Sequence, residues 1–266
     1  MKSAASIRSA VPGTVLTVLC VLCAQVSAQN VQPIGATTKS APIGRADAPV
    51  LDGRLDEPAW QTATLIDDFH QIEPTEYAVP AERTVVRIYY DDNALYIGAR
   101  MFDSQPDAIN ANVLRQGAQF WRDDFFAVII SPFNDQRNGY RFQLNPNGVR
   151  MEMLLFETNR NDQNWNGIWY GAASRDYEGW IAEIAIPFQT LSFNPENDTW
   201  GINFSRDISR FQEKSGWVSR NLSQNPSIAG EAVGFEGLQL GRGLVIVPSL
   251  TLRNNKNYEA AVTETN

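Results

Sequence analysis

Apolar side chains recur at every second position over much of the chain. The segments 82–90 and 94–101 both alternate in this way, and the residues between them, Asp91-Asp92-Asn93, favour a turn. Successive side chains of a β-strand point to opposite faces, so a period of two predicts strands rather than helices. The two segments are therefore predicted to form a β-hairpin.

The same alternation continues toward the C-terminus. Phe125–Ile130 is apolar at consecutive positions, which predicts a central strand covered on both faces. Further strand patterns occur at 140–145, 151–155, 179–188, 199–208 and 215–220. About ten strands at short spacing, with almost no helical periodicity, predict an all-β fold, specifically an antiparallel β-sandwich.

The first residues are predicted to be a targeting signal rather than part of the fold. Lys2 and Arg8 make the start positive, Val15–Leu22 is a short apolar run, and Val26-Ser-Ala28 provides small residues before a cleavage point. This pattern is typical of a secretory signal peptide at 1–28. A transmembrane anchor is the alternative, but the apolar run is short and no stop-transfer pattern follows it.

Removal of the signal peptide changes the composition. Of 266 residues, the loss of 28 leaves 238, and the net charge of −8 becomes −10 because Lys2 and Arg8 leave with it. Both cysteines leave too, so thiol and disulfide chemistry are excluded and the fold must rest on its core. An acidic chain disfavours nucleic acid as a partner and suits a neutral ligand or a cation. The signal-peptide pattern predicts export from the cytoplasm.

The remaining chain divides into three predicted parts. Residues 29–42 are polar and contain Pro, Gly, Thr and Ser, which predicts a flexible leader. The β-sandwich is predicted over 43–240. Residues 241–266 are predicted to begin a further β-region, because Leu244–Leu252 is a strong strand pattern close to the end of the sequence.

The sequence gives little support for a catalytic function. His70 is the one histidine, and neither a Gly-x-Ser-x-Gly motif nor a glycine-rich phosphate loop is present. The carboxylates that occur as adjacent pairs point to opposite faces of a strand, so no pair by itself provides a glycosidase geometry. Asp91 and Asp92 are candidate calcium ligands, although such a cluster is more often only a turn. No cofactor is predicted to be required.

The tryptophans are the better guide to binding, because sugars stack their C–H faces on flat aromatic rings. Trp60, Trp180 and Trp200 lie in apolar patterns and are predicted core residues. Trp121 differs, since it lies between Phe120 and the polar run Arg122-Asp-Asp124. It is the leading sugar-binding candidate, with packing at the rim of the core as the alternative. Two further candidates lie in or beside an Asn-rich loop: Trp165 and Trp169.

Several motifs, taken as a set, resemble a known family. They are Val50–Trp60, Tyr90–Ile97, Trp121–Asp124, Tyr140–Asn145 and Gly179–Pro187. In this order they are similar to carbohydrate-binding modules of family 9, over about residues 43–240. The resemblance implies a β-sandwich of jelly-roll kind that binds oligosaccharide or polysaccharide ends. It also implies a link to carbohydrate catabolism, because such modules are appended to glycoside hydrolases.

The resemblance also implies a binding site. The family stacks its sugar between two tryptophans, and the first of these matches Trp121, just before Asp124. The polar contacts on the following strand match Gln143 and Asn145, although Gln143 replaces an arginine.

Other positions of the family site are not matched. Ala127 stands where the family has an acidic contact, and no tryptophan occurs near Ala229, where the second is expected. The site is therefore either degenerate or rebuilt with Trp165, Trp169 or Trp217.

A second resemblance concerns the motifs at Phe133–Phe142 and Gly237–Pro248. They look like a bacterial family in which a family 9-like domain precedes a large outer-membrane β-barrel, which would explain the strand pattern after residue 243. Together with the signal peptide, this resemblance implies a location in the periplasm or outer membrane of a Gram-negative bacterium. Two hypotheses follow. The chain is either a non-catalytic glycan-binding module or a structural domain of an outer-membrane barrel protein with a degenerate sugar site. An enzymatic function comes third.

Overall fold

The computed structural model describes residues 39–239. The predicted signal peptide at 1–28, the leader up to residue 38 and the predicted strand at 244–252 lie outside these residues. Within 39–239, no helix is both long and apolar enough to span a membrane.

Strands dominate the described chain. In chain order they are β1 (Ser40–Pro42), β2 (Thr64–Ile66), β3 (His70–Glu73), β4 (Thr84–Tyr90), β5 (Ala94–Phe102), β6 (Phe125–Ser131), β7 (Gly139–Leu144), β8 (Arg150–Phe156), β9 (Arg160–Asp162), β10 (Tyr170–Asp176), β11 (Gly179–Pro187), β12 (Thr199–Ile208), β13 (Glu213–Gly216) and β14 (Gly230–Val233). The one α-helix, α1, spans Pro58–Thr62, and short 3-10 turns span Pro106–Ala108, Phe188–Thr190, Ser209–Phe211 and Pro226–Ile228.

The strands form two sheets, which confirms the predicted all-β sandwich. A nine-stranded sheet has the order β1-β14-β12-β6-β7-β8-β9, with β13 also paired to β12 and β3 paired to β13. A five-stranded sheet has the order β10-β11-β5-β4-β2. Strand pairs are antiparallel except β1 with β14. Because β1 begins at Ser40, the sandwich starts before residue 43, and the end of the predicted leader belongs to the fold.

Most of the alternating segments form strands, although the pattern at 215–220 corresponds only in part to β13 and no pattern predicted β10. β4 and β5 make the expected hairpin, with Ile88 opposite Ile97. β6 pairs with β7 on one side and β12 on the other, as expected for the apolar run Phe125–Ile130. Its residues are mostly buried because one face meets the core and the other is covered by a loop.

The main core lies between the sheets. Trp180 and Trp200 belong to it, and both are almost fully buried, as predicted. Trp60 is also buried, but on the outer face of the five-stranded sheet, where its ring packs edge-on at 4.7 Å from Tyr89. Burying rings of this size supplies much of the hydrophobic stabilisation that a chain without disulfides needs.

A second apolar cluster lies on the outer face of the nine-stranded sheet. Ile129 of β6 and Met151 and Met153 of β8 form its sheet side, and Phe120 covers them from the connecting segment 110–124. That segment therefore packs across the sheet rather than extending into solvent. It carries Trp121 and determines where the candidate site lies.

Glu183 of β11 anchors the N-terminal loop. Its carboxylate accepts the backbone N–H groups of Asp52 (2.9 Å) and Gly53 (2.8 Å) and the indole N–H of Trp60 (3.2 Å). Burial raises the pKa of Glu183 to about 7. The carboxyl group therefore binds a proton more tightly in the folded state than in the unfolded chain.

This shift makes a prediction about stability. Between the unfolded pKa of 4.5 and the folded value of about 7, the native state holds more protons, so the free energy of unfolding should fall as pH rises through this window. In Glu183→Gln this part of the pH dependence should vanish. Urea denaturation of both proteins at pH 5 and pH 8 measures it. Equal pH slopes for the two proteins would contradict the assignment.

Candidate functional site

Trp121 is held in an exposed position by its neighbours. Phe120 is buried and packs 5.8 Å from Phe125, so it fixes the segment to the sheet. The buried Asp123 carboxylate accepts the backbone N–H of Val113 at 2.9 Å and the side-chain amide of Asn145 at 3.0 Å. With Phe120 and Asp123 turned inward, Trp121 is left 85% exposed. A solvent-exposed indole on a segment that is tied to the sheet is the kind of surface on which a flat ligand can stack.

A cavity of about 580 Å³ opens beside this indole. Its volume is within the range of small-ligand sites. The residues that line it combine aromatic rings with charged and amide groups: Glu73, Asn110, Phe120, Trp121, Arg122, Asp123, Phe125, Asp207, Ile208, Ser209, Gln212, Glu213 and Lys214. We call it the Trp121 cavity.

Asp207, at the end of β12, is an acid in the Trp121 cavity whose pKa is raised. The value is about 6, chiefly because the side chain is buried, with a smaller contribution from Glu73, while the charges of Lys214 and Arg141 oppose the rise. Its Oδ2 atom is buried and has no hydrogen-bond partner in residues 39–239. The side chain is nevertheless 23% exposed, so part of the carboxyl group can be reached from the cavity.

Lys214 of β13 lies between two carboxylates. Its ammonium nitrogen is 3.5 Å from Oε1 of Glu73 and 4.0 Å from Oδ1 of Asp207. Neither distance is that of a tight hydrogen bond. These groups therefore retain hydrogen-bonding capacity for a ligand that offers both donors and acceptors, such as a sugar hydroxyl.

Three of the predicted contacts are buried within the protein. Asn145 donates to Asp123 and to the carbonyl of Val113, and its oxygen accepts the backbone N–H groups of Asn147 and Val149. It fixes the turn after β7 and has no group left for a ligand.

The other two buried residues are Asp124 and Gln143. Asp124 accepts the backbone N–H of Ser209 at 2.9 Å, and burial raises its pKa. Gln143 is 94% buried and does not line the Trp121 cavity. Ala127, where the family resemblance implies an acidic contact, is buried beside it in β6. Of the residues carried over from the family, Trp121 is the one candidate whose side chain is exposed.

Trp165 and Trp169 lie elsewhere. Both line a separate cavity of about 320 Å³, so they do not rebuild the site around Trp121. Trp217 is buried in the main core and cannot do so either. In the described residues, no aromatic ring is paired with Trp121. The exposed indole of Trp121 therefore stands alone, whereas the family resemblance implies two tryptophans.

The predicted calcium ligands have protein partners. The carboxylate of Asp91 accepts the backbone N–H groups of Asn93 and Ala94 and the hydroxyl of Tyr96. Asp92 pairs with the guanidinium of Arg45. Across residues 39–239, no three His, Cys, Asp or Glu side chains gather in a way that could hold a metal ion. The turn interpretation therefore accounts for Asp91 and Asp92.

The Nε2 atom of His70 lies 2.8 Å from the hydroxyl oxygen of Ser219. That hydroxyl donates its proton to Glu76 at 2.6 Å, so the imidazole does not act as its base. Burial lowers the pKa of His70 to about 4, so it is neutral at pH 7. The three residues form a hydrogen-bonded chain rather than a catalytic triad.

Sequence reasoning missed the charged part of the cavity. Asp207 has the same parity as Asn203 and Ser205 in β12, so the alternation could have assigned it to the outer face. No comparable pattern in the sequence indicates that Lys214 and Glu73 line this cavity. They meet only because β13 pairs with β3, which is distant along the chain.

The family comparison agrees with the fold. The model of the family described as "Carbohydrate family 9 binding domain-like" matches residues 51–230. No curated protein shows significant sequence similarity to the chain.

Solved structures show the same architecture at low identity. A carbohydrate-binding module of family 9 from Caldicellulosiruptor kristjanssonii, in complex with cellotriose, has 20% identity and a TM-score of 0.53. The same module with glucose gives 20% and 0.55, and in both cases the match covers 79% of this chain and 100% of the module. A structure from Bacteroides uniformis has 15% identity and a TM-score of 0.54, covering 74% of this chain and 99% of the other.

Proposed function

Because the chain belongs to the carbohydrate family 9 binding domain-like family, we propose that it is a non-catalytic module that binds neutral oligosaccharides in the Trp121 cavity. One observation carries the proposal: an indole that is 85% exposed stands at a cavity whose polar groups are not fully used by the protein. The cellotriose and glucose complexes of the related module support a glucose-based ligand as the first to test.

The chemistry of the cavity suits a pyranose ring. Trp121 would stack on its C–H face, and this contact would replace water on both apolar surfaces. Asp207 and Lys214 would then hydrogen-bond its hydroxyl groups as acceptor and donor. The signal-peptide pattern supports a role outside the cytoplasm. The family link supports a role beside glycoside hydrolases in carbohydrate breakdown, with any hydrolysis performed by partner proteins or domains.

Isothermal titration of the full chain with cellotriose and glucose tests the proposal. Saturable binding at pH 7 is expected for at least cellotriose. Absence of heat with both sugars would count against glycan binding. That outcome would favour the alternative, a structural domain with a degenerate site, which the unmatched positions Ala127 and Ala229 support.

Asp207 gives the binding a predicted pH dependence. An ionised carboxylate accepts a stronger hydrogen bond from a hydroxyl group than a neutral one does. With a pKa of about 6, the carboxyl group of Asp207 is mostly protonated at pH 5. Affinity for cellotriose should therefore be up to ~10-fold weaker at pH 5 than at pH 7.

The variant Asp207→Asn provides the control for this effect. It keeps the size of the side chain but does not titrate. It should bind cellotriose weakly and with the same affinity at both pH values. If it shows the same pH dependence as the wild type, another group is responsible and Asp207 does not contact the sugar.

A further inference from the structure

The second cavity, which contains Trp165, shares no lining residue with the Trp121 cavity. We propose that it is a second glycan-binding site, which takes a short neutral sugar independently of Trp121. The ligand class, a neutral glycan, rests on the proposed function, but the residues that form this second site are different from those of the first. We call it the Trp165 cavity.

The Trp165 cavity is formed where three parts of the chain meet. The start of β8 contributes Arg150 and Glu152, the loop before β10 contributes 163–167 and Trp169, and the segment 110–124 contributes Gln116 and Gly117. Hydrogen bonds tie these parts together. Gln119 donates to Gln163 at 2.6 Å, and the backbone N–H of Arg150 donates to the Gln116 side chain at 2.7 Å. The walls are therefore held in place before any ligand binds.

The aromatic part of this cavity is rigid. Trp165 is half-buried, and its ring centroid lies 5.0 Å from that of Tyr140 and 6.0 Å from that of Phe142. Trp169 is buried, and its indole N–H donates to Glu152 at 3.0 Å. The guanidinium of Arg150 lies over the Trp169 ring at 5.5 Å. Both indoles are thus fixed by the core, and the part of Trp165 that remains exposed faces the cavity.

The polar part of the cavity keeps groups available. Glu152 uses one carboxylate oxygen for Trp169, and its other oxygen has no hydrogen-bond partner in residues 39–239. The side-chain amide of Asn166 is exposed and also makes no hydrogen bond to this part of the chain. These atoms provide acceptors and a donor at the same opening, which matches the mixed donor and acceptor character of sugar hydroxyls.

Charge and size define the ligand class. The lining contains one arginine and one glutamate, so its formal charge is balanced, and the other polar groups are amides. A balanced, amide-rich lining favours a neutral ligand over a phosphate or a uronic acid. The volume of about 320 Å³ is at the small end of ligand sites. A mono- or disaccharide unit, such as one end of cellotriose, fits these constraints.

The test is to titrate the full chain with cellotriose and follow the indole N–H signals by NMR, assigned with single tryptophan variants. We expect the Trp165 and Trp169 signals to shift in the wild type and also in Trp121→Ala. Asn166→Ala and Glu152→Gln should weaken this response at least ~10-fold. Glu152→Gln keeps an acceptor for the Trp169 indole. The matched control Asn93→Ala removes an exposed amide from the β4–β5 turn and should change nothing.

Each outcome is informative. Unchanged Trp165 and Trp169 signals, or an equal response in Asn166→Ala and Glu152→Gln, would overturn the second site. Loss of the response in Trp121→Ala would also overturn it, because the two cavities would then not be independent. If the Trp165 signal moves while the Trp121 signal does not, the second site stands and the proposed function of the Trp121 cavity fails.

Discussion

Trp121→Ala is expected to bind cellotriose ~30-fold more weakly than the wild type and to fold as well as it does. The loss corresponds to about 2 kcal/mol, the size typical of an aromatic anchor at the centre of a binding site. The fold should be unaffected because the indole is 85% exposed and contributes little to the core. Isothermal titration at pH 7 measures the first effect, and urea denaturation measures the second.

Tyr177→Ala is the matched control for this variant. Tyr177 lies in the turn between β10 and β11, is 87% exposed and does not line the Trp121 cavity. Its replacement also removes an exposed aromatic ring, but we expect affinity for cellotriose to stay the same. Equal losses in the two variants would indicate a non-specific effect. An unchanged affinity in Trp121→Ala would place the sugar outside this cavity.

Asp103→Ala is expected to cost about 3–5 kcal/mol of stability, because it removes the partner of a buried charge. The Asp103 carboxylate accepts from Arg210 at 2.7 and 2.8 Å and from Arg206 at 3.4 Å. The side chain of Arg206 is fully buried, and burial lowers its pKa to about 10. Without Asp103, this guanidinium would stay buried with only backbone carbonyl partners.

Urea denaturation measures this loss, with Glu157→Ala as the control. Glu157 pairs with Arg160 at 3.0 Å, but both side chains are more than half exposed, so its removal should change stability by less than ~1 kcal/mol. Adding Arg206→Met to Asp103→Ala should restore part of the loss, since no unpaired charge then remains buried. If Asp103→Ala costs no more than Glu157→Ala, the buried pair does not stabilise the fold.

The sequence singles out Trp121, but it does not reveal that Asn145 and Gln143 are buried. Trp121 is distinguished by its position directly before the polar run Arg122-Asp-Asp124, and in the structure its side chain is exposed to solvent. Asn145 and Gln143 were assigned to the ligand on the resemblance to the family. In the structure, the side-chain amide of Asn145 instead donates a hydrogen bond to Asp123, which lies on the segment that packs across the sheet. Nothing in the residues near Asn145 indicates which partner will satisfy its amide.

The sequence by itself determined the longer alternating strands and the burial of Trp60, Trp180 and Trp200. Both depend on a period of two and on the cost of exposing apolar surface, which act between residues close along the chain. Only the tertiary structure decided the two cavities. Glu73, Lys214 and Asp207 meet through the pairing of β3, β13 and β12, and Trp165 and Gln116 line one cavity although they belong to different loops. Such contacts join residues far apart in sequence, so local patterns leave no trace of them.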